Sequence, residues 1–353
     1  MKTKILLVIL LFAFFAPSIA LAQNTFKAEI IEINDQQIML KSLDSEFSGE
    51  EIISNISEYD IISMPDYKTG DKVLVNYSQD VDNNDVFYVL DHVRTESLYW
   101  LALLFAIVVI AVGRFKGFRA LIVLGLTFFI ILEFIIPKIL EGNNPLLISI
   151  IGSLFILILS VYITEGLKRN SSIAIFAIII SLVITGLLSV WFSAFAKLTG
   201  FASEEAMYIL DIAEHAINIK GLLLAGIIIG ALGVLDDVVI SQVALIEELK
   251  SANPDLPKNK LYSKAMKVGV SHLSSMVNTL FLAYAGVALP LLILFSIHQG
   301  SSVTAGKMIN NEMIATEIVR ALTGSIGIVL AVPIATLLAV NFIKQKKSTP
   351  IKR

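Results

Sequence analysis

The sequence predicts a membrane all-α fold: a seven-helix transmembrane bundle with a small N-terminal extracytoplasmic β domain, a barrel or sandwich of OB-like kind. Three observations predict it. After Leu98 the chain holds seven apolar runs long enough to enter or cross a bilayer. Lys and Arg then fall on alternate connectors. Runs one, three, five and seven are followed by Arg114, Lys116 and Arg119; Lys168 and Arg169; Lys250, Lys258, Lys260, Lys264 and Lys267; and Lys344, Lys346, Lys347, Lys352 and Arg353, fifteen in all. The other connectors hold only Lys138, Lys197, Lys220 and Lys307. Basic connectors face the cytoplasm, so the N-terminal region is expected outside and the C-terminus inside. Third, residues 23–97 replace long apolar runs with period-two alternation.

Composition agrees: the chain is 56% hydrophobic and 16% charged, where a typical soluble domain carries about 25% charged residues. Lys2 and Lys4, the apolar run Ile5 to Phe15 and Ala20-Leu21-Ala22 have the layout of a cleavable secretory signal. The resulting organisation is a signal peptide at 1–22, an extracytoplasmic β domain at 23–97, seven helices over 98–343 and a basic cytoplasmic tail at 344–353. There is no cysteine, which excludes disulfides, thiol redox chemistry and Cys-based metal sites.

In the β domain, alternation runs through Phe26 to Ile33, Gln37 to Leu40, Lys72 to Tyr77 and Val86 to Leu90. Turn signals at Asn34-Asp35, Ser48-Gly49, Thr69-Gly70-Asp71 and Asp82-Asn83-Asn84-Asp85 separate these stretches. With 16 Asp/Glu against 5 Lys/Arg the domain is acidic. Solubility accounts for this, since no carboxylate spacing there suits a bound cation.

The runs cover about 98–112, 120–140, 145–164 and 173–196. Run five begins near Lys220, run six ends near Ile297 and run seven ends near Ile343. Tyr99, Trp100, Trp191 and Phe192 suit the interfacial belt. Pro290 and Pro333 lie inside runs six and seven, where neighbouring helices can satisfy the carbonyl that proline frees. In run five Ala225, Gly226 and Gly230 form a small-residue stripe that permits close helix contact, which marks this run as the central helix.

Polarity interrupts the apolar sequence at a few places. Asp236 and Asp237 sit in run five, about 24 Å from Lys220 at 1.5 Å per residue, within the cytoplasmic third of a core about 30 Å thick. Ser241 shares a helix face with Asp237. Run six enters from the cytoplasm with Ser271-His272-Leu273-Ser274-Ser275-Met276-Val277-Asn278-Thr279. Because the two runs are antiparallel, His272, Ser275 and Asn278 fall at the depth of the paired aspartates. Ionisable groups at such depth are candidates for an ion or proton site. The structural alternatives are helix capping, interfacial water, pairing with Lys264 and Lys267, and Ser/Asn bonds that hold helices together. Glu317 and Arg320, three apart in run seven, are secondary candidates that suit an interfacial salt bridge. Glu133 sits near the outer end of run two. Residues 203–219 read as an amphipathic outer helix on which Glu204, Tyr208, Asp211 and His215 form a solvated face rather than a metal site.

No phosphate loop, H-E-x-x-H or G-x-S-x-G pattern occurs. No nucleophile–base pair stands out, so enzymatic activity, a metal and a cofactor are not expected. No nucleic-acid partner is expected either.

The sequence resembles the YibE/F-like family of bacterial multipass membrane proteins. The resemblance lies in Gly113-Arg114-Phe115-Lys116-Gly117-Phe118-Arg119, Gly221 to Gln242, Met276 through Pro290-Leu291, Glu317-Ile318-Val319-Arg320 and Gly324 to Pro333. It implies a bacterial plasma-membrane protein and no particular activity. Two functional readings remain. One is a permease-like transporter of an ion or small solute. The other is a non-transporting scaffold or accessory subunit whose outer domain binds an envelope protein, with a second membrane subunit or a second copy of the chain as further partners.

Overall fold

The computed structural model describes residues 25–34, 37–43, 47, 49–55, 67–80, 83–202, 204–212, 217–297, 306 and 309–343. The expected signal segment 1–22, the basic tail 344–353 and His215 lie outside them, as do the side chains of Glu204 and Asp211. The chain forms two compact units, Met1–Phe118 and Arg119–Arg353.

The first unit is built on an antiparallel sheet of five strands: β1 (Thr25–Asn34), β2 (Gln37–Ser42), β3 (Glu51–Asn55), β4 (Lys72–Gln79) and β5 (Asp85–His92), in the order β3-β2-β1-β4-β5. Alternation along each strand sends one set of side chains inward. Phe26, Ala28, Ile30, Ile38, Leu40, Ile52, Val73 and Val75 form the core. Phe47, Tyr77 and Phe87 close it as an aromatic cluster with ring centroids 5.6–5.9 Å apart. Register shifts between Ile30 and Glu32 and between Leu74 and Val75 are bulges that sharpen the twist. The two outermost strands meet: the Ser54 hydroxyl of β3 donates to the Phe87 carbonyl of β5 at 2.8 Å, which blunts edges that would otherwise be open to pairing.

A helix, α1 (Thr95–Ile130), follows β5. Lys72 of β4 is bonded to Glu96 in its first turn at 2.6 Å. The helix is broken at Arg114, whose φ of 49° and ψ of −124° are not helical. Beside the break Gly117 lies so close to the Val109 carbonyl that a Cβ would overlap it. Positions eight apart in a straight helix are separated by about 12 Å, so this approach requires the break.

In the second unit, the helical chain continues through a π-turn at Ile131–Ile135 into α2 (Ile136–Leu140). Pro137 explains the π-turn, because it cannot donate to the carbonyl four residues back and the wider turn accommodates the loss. Then come α3 (Pro145–Glu165), α4 (Arg169–Phe195), the short α5 (Glu204–Ile212), α6 (Ile219–Ala252), α7 (Lys258–Val287), α8 (Leu289–Ile297) and α9 (Glu312–Phe342). Asn144, Asn218 and Asn311 cap α3, α6 and α9 by accepting from backbone N–H groups of the first turn.

Five helical stretches among the described residues are long and apolar enough to cross a bilayer: Thr95–Leu140, Pro145–Glu165, Arg169–Phe195, Ile219–Ala252 and Glu312–Phe342. The seven expected runs map onto fewer apolar stretches for two reasons. Runs one and two are separate helices on either side of the kink at Arg114, and the stretch Thr95–Leu140 counts them together. Run six falls on α7, whose lysines and Ser/Asn stripe dilute its apolarity, and it stops at the Ala288 turn before α8.

Helix α6 is central, packing on α3, α4, α7 and α9, and α9 packs in turn on α4, α6 and α7. Leu235, Val238, Val239 and Ile246 of α6 meet Ile328, Ala331, Val332 and Ala335 of α9 in one apolar core. Helices in lipid associate through close van der Waals contact between small residues rather than through a hydrophobic drive. That is visible between α4 and α9, where Gly327 approaches Thr185 so closely that a Cβ would overlap its hydroxyl. Ser181, Thr185 and Ser189 on α4 each donate to the carbonyl four residues back, at 2.8–2.9 Å, so their hydroxyls are satisfied inside the helix. The glycines of run five divide. Gly230 lies against the Tyr284 hydroxyl, whereas Gly226 has open space beside it.

Two predictions follow from this packing. Gly327→Leu must push α9 off α4 and should cost about 1–3 kcal/mol or more; an unchanged melting temperature in detergent would contradict the contact. In the β domain, Asp91 accepts from Arg94 at 2.5 Å. That bond, aided by the His92 backbone N–H, holds its carboxyl below the ordinary carboxylate range. Its contribution is therefore present at neutral pH and lost only as the pH falls through that lowered value. Carboxyl-carbon NMR of Arg94→Ala should show Asp91 titrating nearer its ordinary value; no change would remove the assignment.

Candidate functional site

The polar groups of the helical unit gather at three levels along α6. Midway along it, about 26 Å from Ile219 at 1.5 Å per residue, stands Asp236. It is part-buried and faces α3, where the Ser160 hydroxyl donates to its Oδ2 at 2.8 Å. Its other oxygen, Oδ1, is buried and meets no partner among the described residues. Asp237 and Glu165 lie within electrostatic reach. Because neighbours on a helix point about 100° apart, Asp237 takes the other side. There it is exposed and feels the charge of His272 on α7. Ser241, His272, Ser275 and Asn278 are exposed as well, together with Ser271, Ser274 and Thr279. The fold thus separates the adjacent aspartates: Asp236 turns into the helix packing, while Asp237 joins an open polar strip along α6 and α7.

Beyond Asp236 lies a junction of three helices. Gln242 of α6, 5% exposed, donates through Nε2 to the Ala265 carbonyl of α7 at 3.1 Å and to Thr336 Oγ1 of α9 at 2.8 Å. Thr336 in turn donates to the Val332 carbonyl at 2.7 Å, next to Pro333. Gly269 makes room for this, since a Cβ there would lie 2.8 Å from Gln242 Oε1 and 2.7 Å from Val332 Cγ1.

Near the N-termini of α6 and α9 is a pocket of about 320 Å³. Its polar wall is Thr316, Glu317 and Arg320 of α9, and Leu222, Leu291 and Met313 contribute to its apolar wall. Arg320 Nη1 donates to Glu317 Oε1 at 2.8 Å. Glu317 Oε2, Arg320 Nε and Thr316 Oγ1 are buried without partners. The hydroxyl-bearing Tyr284 of α7 lies within the field of both charges. One turn earlier, Glu312 ties α9 to the loop after α4: its Oε1 accepts from the Thr199 and Gly200 N–H groups at 2.6 and 2.9 Å, and both oxygens accept from the Thr199 hydroxyl. Gly200, with φ at 93°, is forced here, because a Cβ would meet the Ile219 carbonyl at 2.8 Å.

Glu317 and Arg320 are paired, as their spacing implies, and they line a cavity that spacing cannot reveal. Glu133 is exposed in the π-turn. Among the described residues no group of three or more His, Asp and Glu could hold a metal ion. Sequence reasoning did not single out Ser160, Gln242, Thr316, Tyr284 or Glu312. Gln242 carried the clearest signal, being an amide in an otherwise apolar turn. Ser160 carried little, since many serines in these helices bond their own backbone. Gln242→Leu should cost about 1–3 kcal/mol, the usual penalty for unpairing a buried group, read as a lower melting temperature in detergent. An equally stable variant would show that the junction does not hold the three helices.

Residues 101–345 match the model of the family described as YibE/F-like protein. No curated protein and no solved structure matches the chain. The match spans the break at Arg114 and the helices from α1 through α9 with every residue of the three polar levels, and on it the chain belongs to the YibE/F-like family.

Proposed function

We propose that the helical unit is a permease-like transporter whose coupling ion is a proton carried at Asp236. The observation that carries this reading is the Asp236 carboxylate itself, set in an apolar helix with one oxygen held by Ser160 and the other without a partner. A carboxylate at that depth is costly and seldom retained without use. The exposed strip of Asp237, Ser241, His272, Ser275 and Asn278 would lead from Asp236 toward water on the basic side. The basic connectors support an orientation with residues 23–97 outside and the tail at 344–353 in the cytoplasm of a bacterial plasma membrane, the first 22 residues serving as a signal.

In proteoliposomes containing a trapped pH dye, the wild-type chain should pass protons under an imposed gradient. Asp236→Asn, alone or with Asp237→Asn, should reduce that flux by about tenfold or more, in line with the loss of an intramembrane relay group. Equal flux in a folded variant would remove the reading.

The second reading, an envelope scaffold, draws on the outer domain. Ile53 of β3 and Tyr88 and Leu90 of β5 are exposed beside the Ser54–Phe87 seam. The strand order and that seam support an OB-like barrel, a form that binds across its strands. Photo-crosslinkers at Ile53, Tyr88 and Leu90 should then capture one defined envelope protein in cells; capture of none removes this reading.

A further inference from the structure

We propose that the pocket bounded by Thr316, Glu317 and Arg320 binds a small zwitterion of the aliphatic amino-acid type. It deepens the transport reading by naming a solute class, and rests on that reading only for what becomes of the ligand after it binds.

The pocket has the size and composition of a small-molecule site. Its volume of about 320 Å³ lies at the small end of the range for ligand pockets, about 300–1,000 Å³, which are mostly apolar with a few convergent polar groups. The apolar side comes from Leu222 of α6, Leu291 of α8 and Met313 of α9, and the polar side from α9 alone. Nothing in this composition requires an ion. A hydrogen-bonding head would meet Glu317 and Arg320, and an aliphatic body would lie on the leucines and the methionine.

Charge narrows the ligand class. The polar wall carries one carboxylate and one guanidinium, with side chains about a quarter exposed, 25% and 28%. They sum to zero. A ligand of net charge would bring an uncompensated charge to an apolar surface, which is expensive. A zwitterion brings both signs, its carboxylate to Arg320 and its ammonium to Glu317, in bonds about twice as strong as neutral ones. The ion pair is also left incomplete by the protein. It uses one Glu317 oxygen and Arg320 Nη1, while Glu317 Oε2, Arg320 Nε and the hydroxyl of Thr316, 3% exposed, have no partner among the described residues. Buried polar groups are nearly always paired, so small rotations that present these atoms to a ligand gain bonds that the empty site lacks. Tyr284, in the field of both charges and against Gly230, places a hydroxyl on the side toward the interior of α6.

The test is equilibrium binding of radiolabelled L-leucine to the purified full chain in nanodiscs, with no flux measurement. Saturable binding is expected. Isopentylamine and isovalerate, each carrying one of the two charges, should compete at least about tenfold more weakly, the cost of one lost charge-assisted bond in a desolvated site. Glu317→Gln with Arg320→Gln keeps the wall neutral and hydrogen-bonding while removing both charges, and should weaken leucine binding to a similar extent. Met313→Trp fills the apolar side and should abolish binding with the ion pair intact. A wild-type chain that binds leucine but passes no protons removes the proton reading and leaves this one standing, and one that passes protons but binds no leucine does the reverse. No saturable binding by a folded wild-type chain at millimolar leucine overturns the proposal. So does amine or carboxylate competition as strong as leucine, or full binding by Met313→Trp.

Discussion

A bilayer offers no hydrogen-bond partner, and that constraint shapes every polar residue of the helical unit. Most meet it locally. Ser181, Thr185 and Ser189 turn back on their own helix, which lets α4 present small, satisfied side chains to α9. Gln242 meets it across helices and in doing so joins α6, α7 and α9 at one point. The Glu312 carboxylate meets it at a helix end, gathering the N–H groups of the Thr199–Gly200 turn. These bonds and the glycine contacts fix the helices at close range without relying on apolar burial, which lipid would reward equally.

Against that background the unmet groups stand out. Besides the hydroxyls of Ser149, Ser153 and Ser193 on α3 and α4, these are Asp236 Oδ1 at one level of α6 and Glu317 Oε2, Arg320 Nε and Thr316 Oγ1 at another, among the described residues. The two levels are about 21 Å apart along the helix, taking Leu222 to Asp236 at 1.5 Å per residue, with Gly230 and Tyr284 between them. Gln242 lies beyond both levels and joins α6, α7 and α9 at one junction. Pro333, beside that junction on α9, frees the Val329 carbonyl and gives this helix a place to bend.

Much of this was legible in the sequence. Apolar period and length located α3, α4, α6 and α9 closely, because a helix in an apolar setting must run uninterrupted and its ends are marked by Asn caps, prolines and charges. Alternation located four of the five strands, since the residue-to-residue reversal of a half-buried strand is written in its composition. The Glu317–Arg320 pair followed from spacing alone, and the depth of Asp236 from residue counting. The exceptions share a cause. Counting apolar runs could not tell that the connector after run one narrows to a kink at Arg114, nor that polar substitution leaves α7 less apolar than its neighbours.

Linear order thus determined which segments become helix or strand and roughly how deep each polar residue lies, because both depend on neighbours along the chain. Only the tertiary structure decided which way those residues face. Asp236 and Asp237 are identical in type and adjacent in sequence, yet one meets Ser160, 76 positions away, and the other opens outward beside His272. Rotation about a helix axis is fixed by what packs against it, here the glycines and small hydroxyls of α4 and α9. The pocket on Thr316, Glu317 and Arg320 likewise exists only where separate helices converge, and no single stretch of sequence contains it.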